Sequence, residues 1–532
     1  MRVSDKTLID AVERYTTLRA VGEAVGLAEQ TVKNRVCALR KGGIEIRRPI
    51  KGADETPQLD ELMNRNGERA RAAIDARKRL VVTSAQNATP VNQAFFDSLL
   101  VYCREHDAEL IVIPYRYKNP TSEYSDSQQN AEWWDAKLLP YLLCEPLNVN
   151  NNLMICGDVR IQPTAVCPLS GFDGYTGARS AIFGHPKLQL KTIPTPSNRL
   201  PKILTTTGAV TVKNYTDSKA GKKGEFHHTF GAAVVELVGD KFHLRQLNAI
   251  RDGTFIDLTN QYSGAGVSPA GRALALIGGD SHGIHLDPAV ATATYEGESS
   301  ICGVLQPEVV VWHDSLDFYS RNHHHRGDPI LAYKKHLAGT GDIRAELQST
   351  FEMIDRLTPQ GSRSIIVRSN HDEALERWLK ESDPRTDPVN ILFWCETMAA
   401  CLRSVDPEKP HQQPIDPYRW WASRMMKRYD NCRFLDRDEH ALIADIDVGS
   451  HGDLGANGSR GNIRQFTRIG CKMVVGHSHS PGIEDGIYQV GVSAFLNLGY
   501  NRGPSSWLHT HCVIYANGKR SLINIIDGEW QP

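Results

Sequence analysis

Four hydrophobic runs in the C-terminal half of this 532-residue chain each end in a cluster of side chains able to hold a metal or move a proton. Ala273–Ile277 runs into Gly278-Gly-Asp-Ser-His282, and Val309–Trp312 into His313-Asp-Ser-Leu-Asp317. Ser364–Arg368 runs into Ser369-Asn-His-Asp372, and Lys472–Val475 into Gly476-His-Ser-His479. Short apolar runs of this kind predict strands buried on both faces. Ligand-type residues at the ends of such strands converge on a crevice. One such cluster is ordinary turn chemistry that caps a helix. Four, in one half of the chain, require another explanation.

Length and composition narrow the setting. A chain of 532 residues exceeds one ordinary core, so two to four domains are expected. Hydrophobic residues at 40% and charged residues at 23% fit a globular protein. The net charge of -1 gives no overall attraction to polyanions, though a local basic face is compatible with it. Eleven cysteines form no CxxC pair, which predicts a reduced, intracellular protein. Cys156, Cys302 and Cys471 lie in apolar runs and are expected to be buried rather than ligating. No run of about 18 apolar residues and no signal-like N-terminus is present, so a cytoplasmic protein without a membrane partner is expected.

Toward the N-terminus, Leu8, Ile9, Val12, Tyr15, Leu18 and Val21 recur at helical spacing. Gly26 then punctuates the chain before a second helix near Ala28. This is a helix-turn-helix pattern. Its second helix turns Gln30, Thr31, Lys33, Asn34 and Arg35 outward and Val32, Val36 and Leu39 inward. Lys33, Asn34 and Arg35 suit phosphate and base-edge contacts. A docking or oligomerisation module would look the same. Residues 42–60 read as a linker, and a charged helix is expected around Gln58–Lys78.

From Arg79 a strand at Leu80–Thr83, a helix at Val91–Glu105 and a strand at Ala108–Pro114 predict an α/β unit. Further strands are expected at Leu153–Cys156, Lys202–Thr206, Gly231–Val238 and Lys241–Asn248, the last two joined by the hairpin signal Gly239-Asp240. No catalytic motif stands out here. Asn87, Asn92 and Gln93 are polar loop residues whose ordinary role is to cap and turn.

Taken together, the C-terminal clusters resemble the calcineurin-like metallophosphoesterase superfamily, whose signature runs Asp-x-His, Gly-Asp-x-x-Asp, Gly-Asn-His-Asp, a lone His, and Gly-His-x-His. Asp280-Ser-His282 and Gly476-His-Ser-His479 match in full. His313 and Ser369 replace the usual glycines beside Asp314 and Asn370, and His451 matches the lone histidine. The resemblance covers roughly residues 272–532. It implies an αββα sandwich and two divalent cations, Mn²⁺ first, with Fe, Zn²⁺ or Mg²⁺ as alternatives. One cation would be held by Asp280, His282 and His479, the other by Asn370, His451 and His477, with Asp314 bridging. Ligation by nitrogen and oxygen without thiolate suits that choice. Two such cations, about 3.5–4 Å apart, clamp a phosphoryl group and activate a water. His371 would act at the leaving oxygen, and Asp317 and Asp372 would orient ligands. His285, His227, His228 and most of the run His323–His325 are expected to lie outside the ligand set.

Three features tilt the substrate toward DNA: the helix-turn-helix pattern, the segment Tyr418–Tyr429 in which basic and aromatic residues interleave, and Arg460, Arg464 and Arg468 spaced by four. Tyr418–Tyr429 reads equally as an amphipathic helix packing Trp and Met inward. On a helix, the three arginines would form one basic stripe. The whole layout is similar to the DNA-degrading pre-early proteins of lytic tailed bacteriophages, which implies a Mn²⁺-dependent DNase working in the host cytoplasm as a homo-oligomer. The alternatives are a phosphatase or phosphodiesterase acting on nucleotides or phosphoproteins, and a DNA-binding regulator with an inactive phosphoesterase scaffold. The expected organisation is an α/β multidomain protein: a helical domain over 1–46, linker and helix over 47–78, an α/β middle domain over 79–265, and the metallophosphoesterase domain over 266–532.

Overall fold

The computed structural model describes residues 3–14, 18–42, 44, 46, 56–325, 327–409, 412–499 and 501–532. Tyr15 and most of the expected linker, residues 47–55, lie outside them. Residues 1–69 form one compact unit and 70–532 another.

In the first unit, Asp5–Arg14, Leu18–Val25 and Glu29–Lys41 are helices. Leu8, Val12, Leu18, Val21, Val32 and Val36 close a small core. Gly26 takes a left-handed φ of 66° after the second helix, where a side chain would be strained. Gln30, Thr31, Lys33 and Asn34 are exposed, while Arg35 is half-buried and ion-paired to Asp5. The charged helix spans Thr56–Asp75, so the end of the expected linker is helical.

The second unit is built on sheets. Glu109–Tyr115, Leu80–Gln86, Gly231–Val238 and Lys241–Asn248 form a four-stranded sheet in that order, with the hairpin closing at Val238 opposite Lys241. The helix Gln93–Glu105 starts at Asn92, whose side chain accepts from the Phe95 amide (3.1 Å), and Asn87 accepts from the Tyr117 amide (2.7 Å). Both do the structural work expected of loop asparagines. Cys156 and Cys302 are buried, but Cys471 is exposed in the turn before its strand.

A six-stranded sheet runs Cys432–Phe434, Arg363–Ile366, Val309–Trp312, Ala275–Ile277, Thr510–Ile514, Arg520–Asn524. Its first four strands are parallel. A ten-stranded sheet joins Ile446–Asp447, Lys472–Val475, Ile487–Gln489 and Gly482–Glu484 to Leu190–Ile193, Lys202–Thr206, Ser180–Phe183 and Leu153–Cys156, with short strands at both edges. Strands from either side of residue 266 therefore pair in one sheet, through Gly482–Glu484 and Leu190–Ile193.

Alternation along the six-stranded sheet sets its two faces. Ala275, Ile277, Val309, Val311 and Ile365 share a core with Val474, Ile483, Val490, Ile182 and Ile155 of the larger sheet. Leu276, Val310, Trp312 and Ile366 face the other way, into a core with helices Ile343–Leu357, Ala374–Glu381 and Pro417–Met425. Two sheets thus pack face to face, with helices on the outer face of one. The parallel strands leave their C-terminal ends aligned along one rim.

Candidate metal centre

The rim carries the site. Asp280 and His282 follow the strand Ala275–Ile277, Asp314 follows Val309–Trp312, His371 follows Arg363–Ile366, and His477 and His479 follow Lys472–Val475. Asp280 is pinned by its amide, which donates to the Gly491 carbonyl (3.1 Å), and by the preceding Gly279 amide, which donates to His511 Nδ1 (2.9 Å). A Cβ on Gly476 would sit 2.3 Å from Asp280 Oδ1, so glycine is required for the two strand ends to close on each other.

His282, Asp314, His477 and His479 all have left-handed backbones, with φ of 48°, 44°, 71° and 60°. Each costs about 1–3 kcal/mol for a residue with a side chain, and such strain concentrates at functional sites. The fold tolerates it four times to aim these side chains inward.

The result is four overlapping groups that could hold a metal ion: Asp280, His282, Asp314 and His479; Asp280, His313 and His451; Asp314, His451 and His477; and His282, Asp317 and His371. His282 Nε2 and His479 Nε2 lie 2.9 Å apart. His479 Nε2 is 3.1 Å from Asp280 Oδ2, and His451 Nε2 is 3.2 Å from Asp314 Oδ2, both off the direction of a good hydrogen bond. Asp280 Oδ1 and Asp314 Oδ1 are buried and accept from no described group. A buried, undersatisfied carboxylate costs several kcal/mol unless a cation answers it. Converging imidazole nitrogens and open carboxylate oxygens are the donor set a divalent cation takes, so these residues fit a metal.

Supporting contacts fix the donors. Asp317 Oδ1 lies 3.0 Å from His282 Nδ1 and so leaves Nε2 facing the centre. Asp372 accepts from Ser315 Oγ (3.2 Å), the Leu316 amide (3.2 Å) and Ser369 Oγ (2.9 Å), tying two strand-end turns together. His371 Nδ1 donates to the Asp317 carbonyl (3.0 Å). Burial alone would lower His282 and His451, but the carboxylates around them prevail and push both up to about 9. Burial, with Asp314 nearby, pushes Asp372 up to about 6. In the metal-free chain, protons on His282 and His451 do part of the neutralising that a cation would do.

His313 is the residue that sequence reasoning passes over. It is buried, sits in one of the four groups, and burial beside His451 pushes it down to about 4. Its only sequence signal is its place just before Asp314. Asn370 is exposed in the turn before His371. His285 lies 3.7 Å from Asp317 Oδ2, outside the four groups. The three adjacent histidines form one short turn in which His323 meets Arg377 and His325 meets Lys335 Nζ (2.9 Å).

One expectation about a DNA-facing surface is overturned, and one open choice is decided. Only Ile463–Phe466 is helical near the three arginines, because Gly461 and Asn462 start the helix after Arg460. Arg460, Arg464 and Arg468 are exposed but form no helical stripe, and Arg464 lies 3.6 Å from Glu484. The segment from Tyr418 is an inward-packing helix. Tyr418, Trp421, Ala422 and Met426 are buried, and Trp421 stacks on Phe393 at 5.0 Å. Tyr418 and Trp421 are core, while Trp420 is half-buried with the Arg424 guanidinium 3.7 Å over its ring.

Fold and site define an α/β protein with a buried histidine–aspartate cluster able to hold metal. The chain is 32% identical over 489 residues to "Protein A1" of Escherichia phage T5, covering 90% of this chain and 86% of that protein. It belongs to that phage protein's family. No family model matches the chain, and no solved structure matches it. Among the described residues no helix is long and apolar enough to cross a membrane.

Proposed function

We propose that this protein is a two-metal phosphodiester hydrolase of the calcineurin-like metallophosphoesterase type, and that its substrate is DNA. The observation that carries the reading is the buried pair Asp280 and Asp314, whose open oxygens lie among His282, His451 and His479. Asp280, His282 and His479 would hold one cation, and His451 and His477 with Asn370 the other, with Asp314 shared. Cations bound there supply Lewis acidity toward a phosphoryl oxygen and the attacking water.

The chain's own residues supply orientation and a proton. Asp317 sets the His282 ring, and Asp372 locks the turns that carry Asp314 and His371. Because His371 Nδ1 donates to a carbonyl, its second nitrogen, Nε2, is the atom left to face a leaving oxygen, and in the imidazolium form it gives that oxygen a proton and returns to the neutral ring. DNA as substrate is supported by the exposed Gln30, Thr31, Lys33 and Asn34 on the N-terminal helix Glu29–Lys41, and by kinship with a phage protein. We place the activity in the infected host's cytoplasm, with Mn²⁺ as the first metal and a homo-oligomer as the working form, which light scattering would test.

The test compares wild type with His371→Ala on plasmid and linear DNA in EDTA, Mg²⁺ and Mn²⁺. The expected result is Mn²⁺-dependent cleavage, absent in EDTA and lost in the variant. Metal-dependent turnover of bis-p-nitrophenyl phosphate without cleavage of DNA would keep the phosphoesterase and remove DNA as its substrate.

A further inference from the structure

A cavity of about 1120 Å³ opens at the other end of the strands that carry the metal centre. Lys472, at the start of Lys472–Val475, lines it, while His477 and His479 lie beyond that strand's far end. At about 3.3 Å per residue, Lys472 and His477 stand roughly 16 Å apart along the strand direction. Arg520 begins the strand that pairs with Thr510–Ile514 and also lines the cavity. The two sites are therefore distinct.

The walls carry unmatched positive charge. Lys213, Arg251, Lys472, Lys519 and Arg520 line the cavity, and none is ion-paired to a carboxylate among the described residues. Of the two aspartates present, Asp485 already pairs with Lys187 and His227. Burial pushes the Lys519 ammonium down, and Lys472, Arg520 and Lys213 push it further, so these groups repel one another with no anion between them. Arg520 is buried, with its guanidinium 4.2 Å over the Tyr488 ring and Nη1 donating to the Met473 carbonyl (2.8 Å). His228 Nε2 and Asn517 Nδ2 are buried atoms of lining residues with no hydrogen-bond partner among the described residues. Like charges gathered along one cavity wall raise the local concentration of anions there.

The chemistry of the walls narrows that anion. Lysine and arginine together favour phosphate oxygens. Phe226 stands at the same cavity with 82% of its surface exposed, its ring meeting the His227 ring edge to face at 5.0 Å. Cations beside an open aromatic ring form the pattern that holds a base and its phosphate together. We propose that this cavity binds a nucleotide phosphate, with the lysines and Arg520 on the phosphate and Phe226 against the base. The source is a free nucleotide or the phosphate-bearing end of a DNA strand. Nothing in this inference depends on the metal centre.

The test uses the full chain in EDTA, which silences any metal-dependent cleavage. The probe is a 5′-phosphorylated, 3′-fluorescein oligothymidylate followed by anisotropy, with dTMP and inorganic phosphate as competitors. Binding is expected to weaken at least about tenfold in Lys472→Glu/Lys519→Glu, with the milder Lys472→Gln/Lys519→Gln as a check on folding. Hydrolysis of bis-p-nitrophenyl phosphate by these variants is expected to stay at the wild-type level, so failure here is separable from failure of the metal-centre reading. Phe226→Ala should weaken the nucleotide but not inorganic phosphate. Competition by dTMP identifies a free nucleotide, and competition by unlabelled strand alone identifies a strand end. Binding that survives both double substitutions overturns the proposal. So does inorganic phosphate competing as well as dTMP, which would mean an adventitious ion only.

Discussion

Two buried charge clusters in this protein answer the cost of burial in opposite ways. Beside the four-stranded sheet, Arg245 is matched within the chain. Its guanidinium donates to Glu236 (2.6 Å) and to both oxygens of Asp257 (3.0 and 3.1 Å), and Tyr102 donates to Asp257 as well (2.7 Å). At the strand ends, Asp280 and Asp314 have no arginine or lysine within ion-pairing distance among the described residues and keep open oxygens. Desolvation penalises both clusters. The first is complete as folded and serves the architecture. The second keeps open oxygens that a cation could take, and four left-handed residues add strain there.

The largest effect expected is on the matched cluster. Arg245→Met should cost about 3–5 kcal/mol in urea unfolding, because it strands two buried carboxylates, and should leave metal uptake alone. A cost no greater than that of a surface substitution would break the comparison. Asp314→Asn should do the reverse. Metal-dependent phosphodiester hydrolysis should fall about a thousandfold, or roughly 4 kcal/mol, while the metal-free chain melts no lower than wild type. Saturating metal should sharpen the contrast. Mn²⁺ at about 100 times its Kd should stabilise the wild type by about 2.7 kcal/mol, with no such gain in Asp314→Asn, as read in thermal melts. Asp317→Asn removes only the group that orients His282, so metal affinity should drop about 10–100-fold by calorimetry.

Acidity gives the smallest and most selective test. Burial pushes Asp257 up, but Arg245 beside it prevails and holds its carboxyl below the usual value. A folded value below the unfolded one, about 3.9, stabilises the protein fully above that pH and is lost as pH falls through the folded value. The stability difference between wild type and Asp257→Asn should therefore be constant above about pH 4 and shrink below it. A difference that is flat across that range would mean Arg245 does not hold Asp257.

Much of the site was legible because its signals are local. A hydrophobic run followed by Asp-Ser-His or Gly-His-Ser-His marks a strand end wherever that strand pairs. The strands Leu153–Cys156, Lys202–Thr206, Val309–Trp312 and Lys472–Val475 stand where their apolar runs predict. What is not local was not legible. The pairing of Gly482–Glu484 with Leu190–Ile193 joins residues almost three hundred positions apart, and nothing in either segment announces it. His313 stands where the resemblance expects glycine, and only the approach of His451 gives it a partner at the centre (3.4 Å). For the helix containing Trp420 and Trp421, composition allows two readings. Tyr418, Trp421 and Ala422 follow helical spacing, and that spacing, more than the neighbouring arginines, decided which way the rings face. The basic cavity was invisible in sequence because Lys213, Arg251, Lys472 and the pair Lys519 and Arg520 come from four separate segments.

The most direct test of the central claim is titration of the purified, metal-stripped protein with Mn²⁺ by calorimetry, beside Asp314→Asn. The account predicts uptake of about two ions per chain in the wild type and loss of at least one in the variant. No uptake by the wild type, or the same uptake by both, would contradict it.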